Sequence, residues 1–150
     1  MMTNNFNFQV VTAGISDLGE LRRLEKECFN KDAWPLIDLI AVLSLSNIIR
    51  LKAIDLNKMI GFIAGDINTR QKIGWITTIA VKPDFQRKGI ASKLMETCID
   101  YMDQPTIRLS LRPSNLAALN LYTKLGYYKI DTWKGYYYDG EDALVLEKNR

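Results

Sequence analysis

Histidine is absent from the sequence. That excludes His-based triads, imidazole acid–base catalysis and His-ligated metal sites together. Only two cysteines occur, Cys28 and Cys98, far apart and without C-x-x-C spacing. Neither a zinc site nor a disulfide framework is expected, and both read as small core hydrophobes. Long apolar runs are missing as well. The longest unbroken one, Leu39 to Leu43, is too short to cross a bilayer, and Met1 to Val10 has no basic stretch ahead of an apolar one. The expectation is a cytoplasmic protein with no membrane partner. Lys and Arg number 20 against 17 Asp and Glu, a net +3, too thin an excess to mark a nucleic-acid binder. Hydrophobic residues at 47% and charged residues at 25% are globular values. With no repeat and no Pro/Gly/Ser-rich linker, residues 1–150 read as one domain.

Periodicity orders the elements. Phe8 to Thr12 suits a first strand, and Ser16 reads as the N-cap of a helix with apolar positions at Leu18, Leu21, Leu24 and Cys28. Trp34 to Leu45 is apolar nearly all round, a second helix buried on two sides or covering a site. Ile48 to Ile54 and Met59 to Asp66 read as a hairpin with Asn57-Lys58 at its tip, and Ile73 to Val81 as a central strand stopped by Pro83. Ala91, Leu94, Met95, Cys98 and Met102 share one helical face. Thr106 to Leu111 is a further strand, followed by a helix capped by Ser114 or Asn115, faced by Ala118, Leu121, Tyr122 and Leu125, and ended by Gly126. Tyr127 to Trp133 and Asp142 to Glu147 close the chain as strands. The order β, α, α, β, β, β, α, β, α, β, β predicts an α/β (α+β) sandwich with a mostly antiparallel sheet.

Chemistry concentrates at the junction Val81-Lys82-Pro83-Asp84-Phe85-Gln86-Arg87-Lys88-Gly89-Ile90-Ala91, where a strand ends and an amphipathic helix begins. The first N–H groups of a helix lack intrahelical acceptors, the dipole is positive there, and glycine removes a Cβ from the approach. With Lys82, Arg87, Lys88 and Lys93 around it, the junction predicts a diphosphate cradle. It matches neither a P-loop nor a Rossmann G-x-G-x-x-G.

Two motifs in sequence resemble the GNAT superfamily of acyl-CoA-dependent N-acyltransferases. Gln86-Arg87-Lys88-Gly89-Ile90-Ala91 is similar to its Q/R-x-x-G-x-G/A pyrophosphate loop, and Asn115 to Tyr127 to its N-x-x-A-x-x-L-Y-x-x-x-G-[FY] helix. Within the superfamily, Leu109 to Asn115 and Tyr136 to Ala143 are similar to the RimI-like acetyltransferases of ribosomal-protein N-terminal alanine; the likeness covers about residues 75 to 146. The resemblance implies a central sheet of six to seven strands with about four helices on its two faces. It implies acetyl-CoA as cosubstrate, held by Ile79, Ala80, Val81, Gln86, Arg87, Lys88, Gly89, Ile90, Ala91, Ser92, Asn115 and Tyr122. It implies direct attack of an amine on the thioester in a ternary complex, an N–H near Ile79 polarising the carbonyl, and Tyr122 as the acid at the departing sulfur. Tyr122 also fits a core aromatic by its spacing, and Asn115 a helix cap.

One departure bears on mechanism. Ser110 stands where RimI-like enzymes carry a glutamate base. Either another carboxylate serves (Glu27, Asp32, Glu141 or Asp142), or the acceptor needs little help. An α-amine of pKa ~7.7–8.0 is partly neutral near pH 7.5, whereas a lysine at ~10.4 is neutral about one time in a thousand. A peptide or protein N-terminal amine is therefore the expected acceptor, with a small amine or a non-catalytic CoA-binding role as alternatives. Tyr137, Tyr138 and Glu141, in the aromatic and acidic tail Trp133 to Asp142, are the expected acceptor contacts. Either a monomer or a homodimer is compatible with this reading.

Overall fold

A computed structural model describes residues 7–150; residues 1–6, part of the stretch read above for a leader, lie outside it. The elements are β1 (Gln9–Thr12), α1 (Leu18–Phe29), α2 (Leu36–Ser44), β2 (Ile48–Asp55), β3 (Lys58–Asn68), β4 (Ile73–Val81), α3 (Ile90–Met102), β5 (Thr106–Leu111), α4 (Leu116–Lys124), β6 (Tyr128–Trp133) and β7 (Ala143–Asn149). This is the predicted order, with local differences. The cap ahead of α1 is not Ser16: Asp17 Oδ2 accepts the Gly14 N–H at 2.8 Å, and a short 3-10 turn, Ile15–Asp17, leads into the helix. The hairpin tip is Leu56-Asn57 rather than Asn57-Lys58. Both residues have positive φ, 50° and 62°, the conformation that matches a two-residue loop to the strand twist.

Seven strands form one sheet in the order β1-β2-β3-β4-β5-β7-β6. Every neighbouring pair is antiparallel except β4 and β5. Two cores lie on its opposite faces. Ile90, Leu94, Met95, Cys98 and Met102 of α3 pack with Ile63, Ile76 and Tyr122 on one. Leu21, Leu24, Leu39, Val42 and Leu43 of α1 and α2 pack with Phe62, Ala64 and Ala80 on the other. Face assignment thus alternates along β3, as a period of two requires.

The parallel pair fixes the site. β4 and β5 stay together only over Ile73–Trp75 opposite Thr106–Arg108, while β3 holds β4 and β7 holds β5 along their full lengths. Past Trp75 and Arg108 the inner edges part and leave a gap in the sheet. A β-bulge begins there: the register steps from Ala64↔Thr78 to Gly65↔Ile76 and leaves Thr77 as the extra residue. Bulges bend a strand and re-aim its side chains. This one turns Ile76 toward α3 and Thr78 toward α1.

Candidate active site

Backbone polarity in the gap follows from register. Lys82 N–H donates to the Ile60 carbonyl at 2.8 Å, and Gly61↔Val81, Phe62↔Ala80 and Ile63↔Ile79 follow in step. Hydrogen-bonded and non-hydrogen-bonded pairs alternate in an antiparallel ladder. Ala80 therefore bonds β3, while Ile79 and Val81 turn their N–H and carbonyl groups to the gap. This corrects one expectation: Ala80 faces away, its main chain paired with Phe62 and its side chain buried against α1 and α2. The Val81 carbonyl is already engaged by Gln86 Nε2 at 3.2 Å and Cys28 Sγ at 3.3 Å. Gln86 thereby ties the loop to β4.

The loop from Pro83 to Gly89 delivers the chain to α3. Arg87 and Gly89 take left-handed backbones, φ 63° and 80°, which turns successive N–H groups the same way. The first ladder bond of α3 is Lys93 N–H to the Gly89 carbonyl, 3.1 Å, so the N–H groups of Ile90, Ala91 and Ser92 precede the ladder and remain for a ligand. The Ile90 side chain is buried in the core, so only its main chain takes part. A Cβ built on Gly89 would meet no protein atom within 4 Å. The space over the cradle is open. Lys88 Nζ sits 5.5 Å from the Phe85 ring.

A cavity of about 300 Å³ runs through the gap. On the α3–α4 side it is lined by Ile79, Leu111, Asn115, Ala118 and Tyr122, and on the α1–α2 side by Phe29, Asp32, Trp34, Thr78, Tyr136 and Tyr137. Ser110 and Thr77 line it between. Asn115 Oδ1 accepts the Ala118 N–H at 3.2 Å: it caps α4, and the residue also lines the cavity. Tyr122 is buried and lies edge-on to Tyr127, centroids 5.8 Å apart. Its hydroxyl has no protein partner among the described residues, and burial pushes its pKa up to about 12.

The far rim is tied by one guanidinium. Arg112 binds Asp32 through two bonds, Nε to Oδ2 at 2.6 Å and Nη2 to Oδ1 at 2.8 Å. Its Nη1 reaches Asp139 Oδ1 at 2.9 Å and Glu141 Oε1 at 2.8 Å, and Cζ lies 4.1 Å from the Tyr137 ring centroid. Lys31 adds a bond to Asp139 at 2.8 Å. The Lys31 and Arg112 cations hold the Asp139 carboxyl well below the usual range, and Arg112 with Ser114 lowers Glu141. Beyond the rim runs a series of rings: Trp75 on Trp133 (5.9 Å), Trp133 to Tyr136 (5.2 Å) and Tyr136 to Tyr137 (5.1 Å).

Of the three expected acceptor contacts, only Tyr137 lines the cavity. Tyr138 is fully exposed, because the turn that orients Tyr137 inward points its neighbour out. Glu141 is held by Arg112 and by Ser114 N–H and Oγ, at 3.0 and 2.9 Å, as a tie rather than a cavity wall. Of the four candidate bases, Asp32 alone lines the cavity, and it is bonded to Arg112. Glu27 faces a separate cavity with Glu20 and Lys82, and Asp142 accepts the Gly135 N–H. Trp34, at the opening of the second helix, reads in sequence as a wall of the acceptor side, and it lines the cavity there. Two residues escape sequence reasoning. Arg112 stands in a quoted motif without a role. Glu25 lies on the apolar face of α1, four residues after Leu21 and three before Cys28, which was the available signal.

Strand order, the parted parallel pair and the helix-borne cradle define an acyl-CoA N-acyltransferase architecture. The acetyltransferase (GNAT) family profile matches residues 18–127, and the chain belongs to that family. It is 40% identical over 79 residues to an N-alpha-acetyltransferase of Saccharolobus solfataricus, covering 50% of this chain and 47% of the relative. Over 74 residues it is 40% identical to the [ribosomal protein bS18]-alanine N-acetyltransferase of Escherichia coli, 45% of this chain and 50% of the relative. The chain spans about half the length of the curated relatives it matches. The crystal structure of the ribosomal-protein-S18-alanine N-acetyltransferase from Escherichia coli superposes with a TM-score of 0.85 at 25% identity, covering 95% of this chain and 94% of that one. No helix among the described residues is long and apolar enough to cross a membrane.

Proposed function

We propose that the chain is an acetyl-CoA-dependent N-acetyltransferase of peptide or protein N-terminal amines. The observation that carries this reading is the cavity through the sheet, with main-chain donors at its α3 mouth and an aromatic, acidic rim at the other. Bound there, acetyl-CoA would supply the activated acyl group. The residues present fit it. The N–H groups from Arg87 to Ser92 would take the diphosphate, and the gap edge at Ile79 and Val81 would offer pairing to an amide-bearing arm. The Ile79 N–H would donate toward the acyl carbonyl, and the Tyr122 O–H toward the sulfur.

The cysteines argue for direct transfer. Burial and neighbouring carboxylates push Cys28 up to about 11, and burial pushes Cys98 up to about 12, so both thiols keep their protons and neither is a competent nucleophile. Initial-velocity patterns should be sequential, with intersecting lines when both substrates are varied; parallel lines would overturn this. Unpaired thiols also fit a reducing compartment, the cytoplasm.

Acceptor choice follows from charge. Asp32, Asp139 and Glu141 against Arg112 and Lys31 leave the rim one negative charge in excess, which draws an ammonium group. Among the described residues no free carboxylate lines the cavity, Asp32 being bonded to Arg112, so an amine already partly neutral at pH 7.5 is favoured. Acetyl-CoA turnover against peptides of varied first residue, N-terminally blocked lysine peptides and free polyamines tests the reading. N-terminal amines should exceed lysine side chains in kcat/KM by at least about tenfold, given their pKa difference. A preference for lysine or polyamine, or no turnover with acetyl-CoA bound, would refute it.

The cradle has its own test. Gly89→Val places a β-branched residue at φ 80°, a conformation costing about 1–2 kcal/mol, and puts its methyls where phosphate would lie. The acetyl-CoA Kd by calorimetry should rise at least about tenfold; an unchanged Kd would remove the phosphates from this corner.

A further inference from the structure

Glu25 has no solvent exposure, yet its carboxyl stands one hydrogen bond behind the cavity. Thr78 Oγ1 donates to Glu25 Oε1 at 3.1 Å in a buried bond, and Thr78 is a wall of the cavity, next in sequence to Ile79. Oε2 is buried with no partner. Burial raises the Glu25 pKa, which brings a carboxyl nearer to an amine in proton affinity.

No other group along the cavity offers this arrangement among the described residues. Asp32 is bonded twice by Arg112, and Thr77 Oγ1 donates to the Ala64 carbonyl at 3.1 Å. A hydroxyl carries one proton and two lone pairs. With its proton on Glu25 Oε1, Thr78 Oγ1 keeps lone pairs for an N–H donor, so one side chain can accept from a ligand and donate to a carboxylate at once.

We propose that Glu25 takes up, through the Thr78 hydroxyl, the proton that the acceptor amine releases as it is acetylated. This deepens the N-acetyltransferase reading above and rests on it. The amine nitrogen bonds the acetyl carbon, the carbon–sulfur bond breaks, and its electron pair leaves on sulfur. The N–H proton passes to Thr78 Oγ1 while the Thr78 proton passes to Glu25 Oε1. The hydroxyl is restored and the carboxyl is left neutral. Once the products depart, water entering the cavity takes that proton back by the same path, and the thiolate is protonated from solvent. One proton is handled in this way, so the amine must arrive neutral, in keeping with an acceptor of low pKa.

The test is the single-turnover rate of acetyl transfer at saturating substrate, with a peptide the parent enzyme acetylates, in variants first shown by calorimetry to bind acetyl-CoA. Glu25→Gln keeps the shape and the oxygen that accepts from Thr78 but takes up no proton. It should slow transfer about 10²-fold, the usual contribution of a general base, with the acceptor KM within about threefold of the parent. Thr78→Val removes the hydroxyl and should cost a similar factor, whereas Thr78→Ser keeps it and should stay within about fivefold. Glu25→Gln combined with Thr78→Val should be no more than about threefold slower than either alone, because both interrupt one path. A Glu25→Gln rate within about threefold of the parent, a loss carried by the acceptor KM alone, or Thr78→Ser as slow as Thr78→Val would overturn the relay. Should Glu25→Gln fail to bind acetyl-CoA, the Thr78 pair decides: a slow Thr78→Val beside a fast Thr78→Ser supports the relay, and equal rates overturn it. A parent enzyme that binds acetyl-CoA and acetylates no amine refutes instead the reading beneath it.

Discussion

Replacing Tyr122 by phenylalanine is expected to lower kcat by about 10²- to 10³-fold, the usual cost of one aligned transition-state donor, with the acetyl-CoA Kd nearly unchanged. The ring remains, with its edge-on packing against Tyr127. The hydroxyl lost has no protein partner among the described residues, so nothing in the protein is left unsatisfied and stability should hold. With the phenol at about 12 and a thiol near ~8.5, complete proton transfer would run uphill by roughly 5 kcal/mol. In the proposed reaction Tyr122 would therefore stabilise the departing sulfur by a hydrogen bond, and below pH ~11 its own ionisation would add no limb to the rate profile. Tyr127→Phe is the control. Its hydroxyl is buried without a partner, so removal should leave kcat unchanged and raise stability by about 1 kcal/mol. Equal turnover by Tyr122→Phe and parent would remove Tyr122 from the chemistry.

Arg112→Met carries the second large effect. The substitution keeps length and removes every bond to Asp32, Asp139 and Glu141, leaving three carboxylates side by side. The segment between β6 and β7 should then lift, and Tyr137 lose the cation over its ring. Acceptor kcat/KM should fall about 10- to 100-fold, as for a displaced binding wall, with the acetyl-CoA KM little changed. The pH dependence follows in sign. Asp139 and Glu141 have folded pKa values below their unfolded ones, so their stabilisation is present above about pH 4 and is lost as pH falls through the folded values. Thermal melts should separate parent and variant most at neutral pH and converge in acid. A pH-independent difference, or an acceptor kcat/KM equal to the parent's, would count against the network.

Much of the architecture was legible because it is written at short range. The apolar face of Ala91, Leu94, Met95, Cys98 and Met102 announces α3, the β-branched run Ile73 to Val81 announces β4, and Asn115 before Ala118 announces the cap of α4. The cradle belongs with these, since a strand end, a positive-φ glycine and a helix start are local properties. Ala80 and Tyr138 stand off the cavity because a motif names neighbours in sequence, whereas alternate residues of a strand or turn face opposite ways.

Composition and periodicity thus determined the order of elements and the glycine-bearing, cation-flanked corner at the start of α3. Tertiary structure alone decided that β4 and β5 part after three residues of pairing, that the bulge at Thr77 turns Thr78 to Glu25, and that Arg112 gathers carboxylates from two distant segments. The reason is physical. Helix faces and caps arise from contacts three or four residues apart, while a gap in a sheet and an ion cluster around it depend on which distant strand edges are satisfied elsewhere.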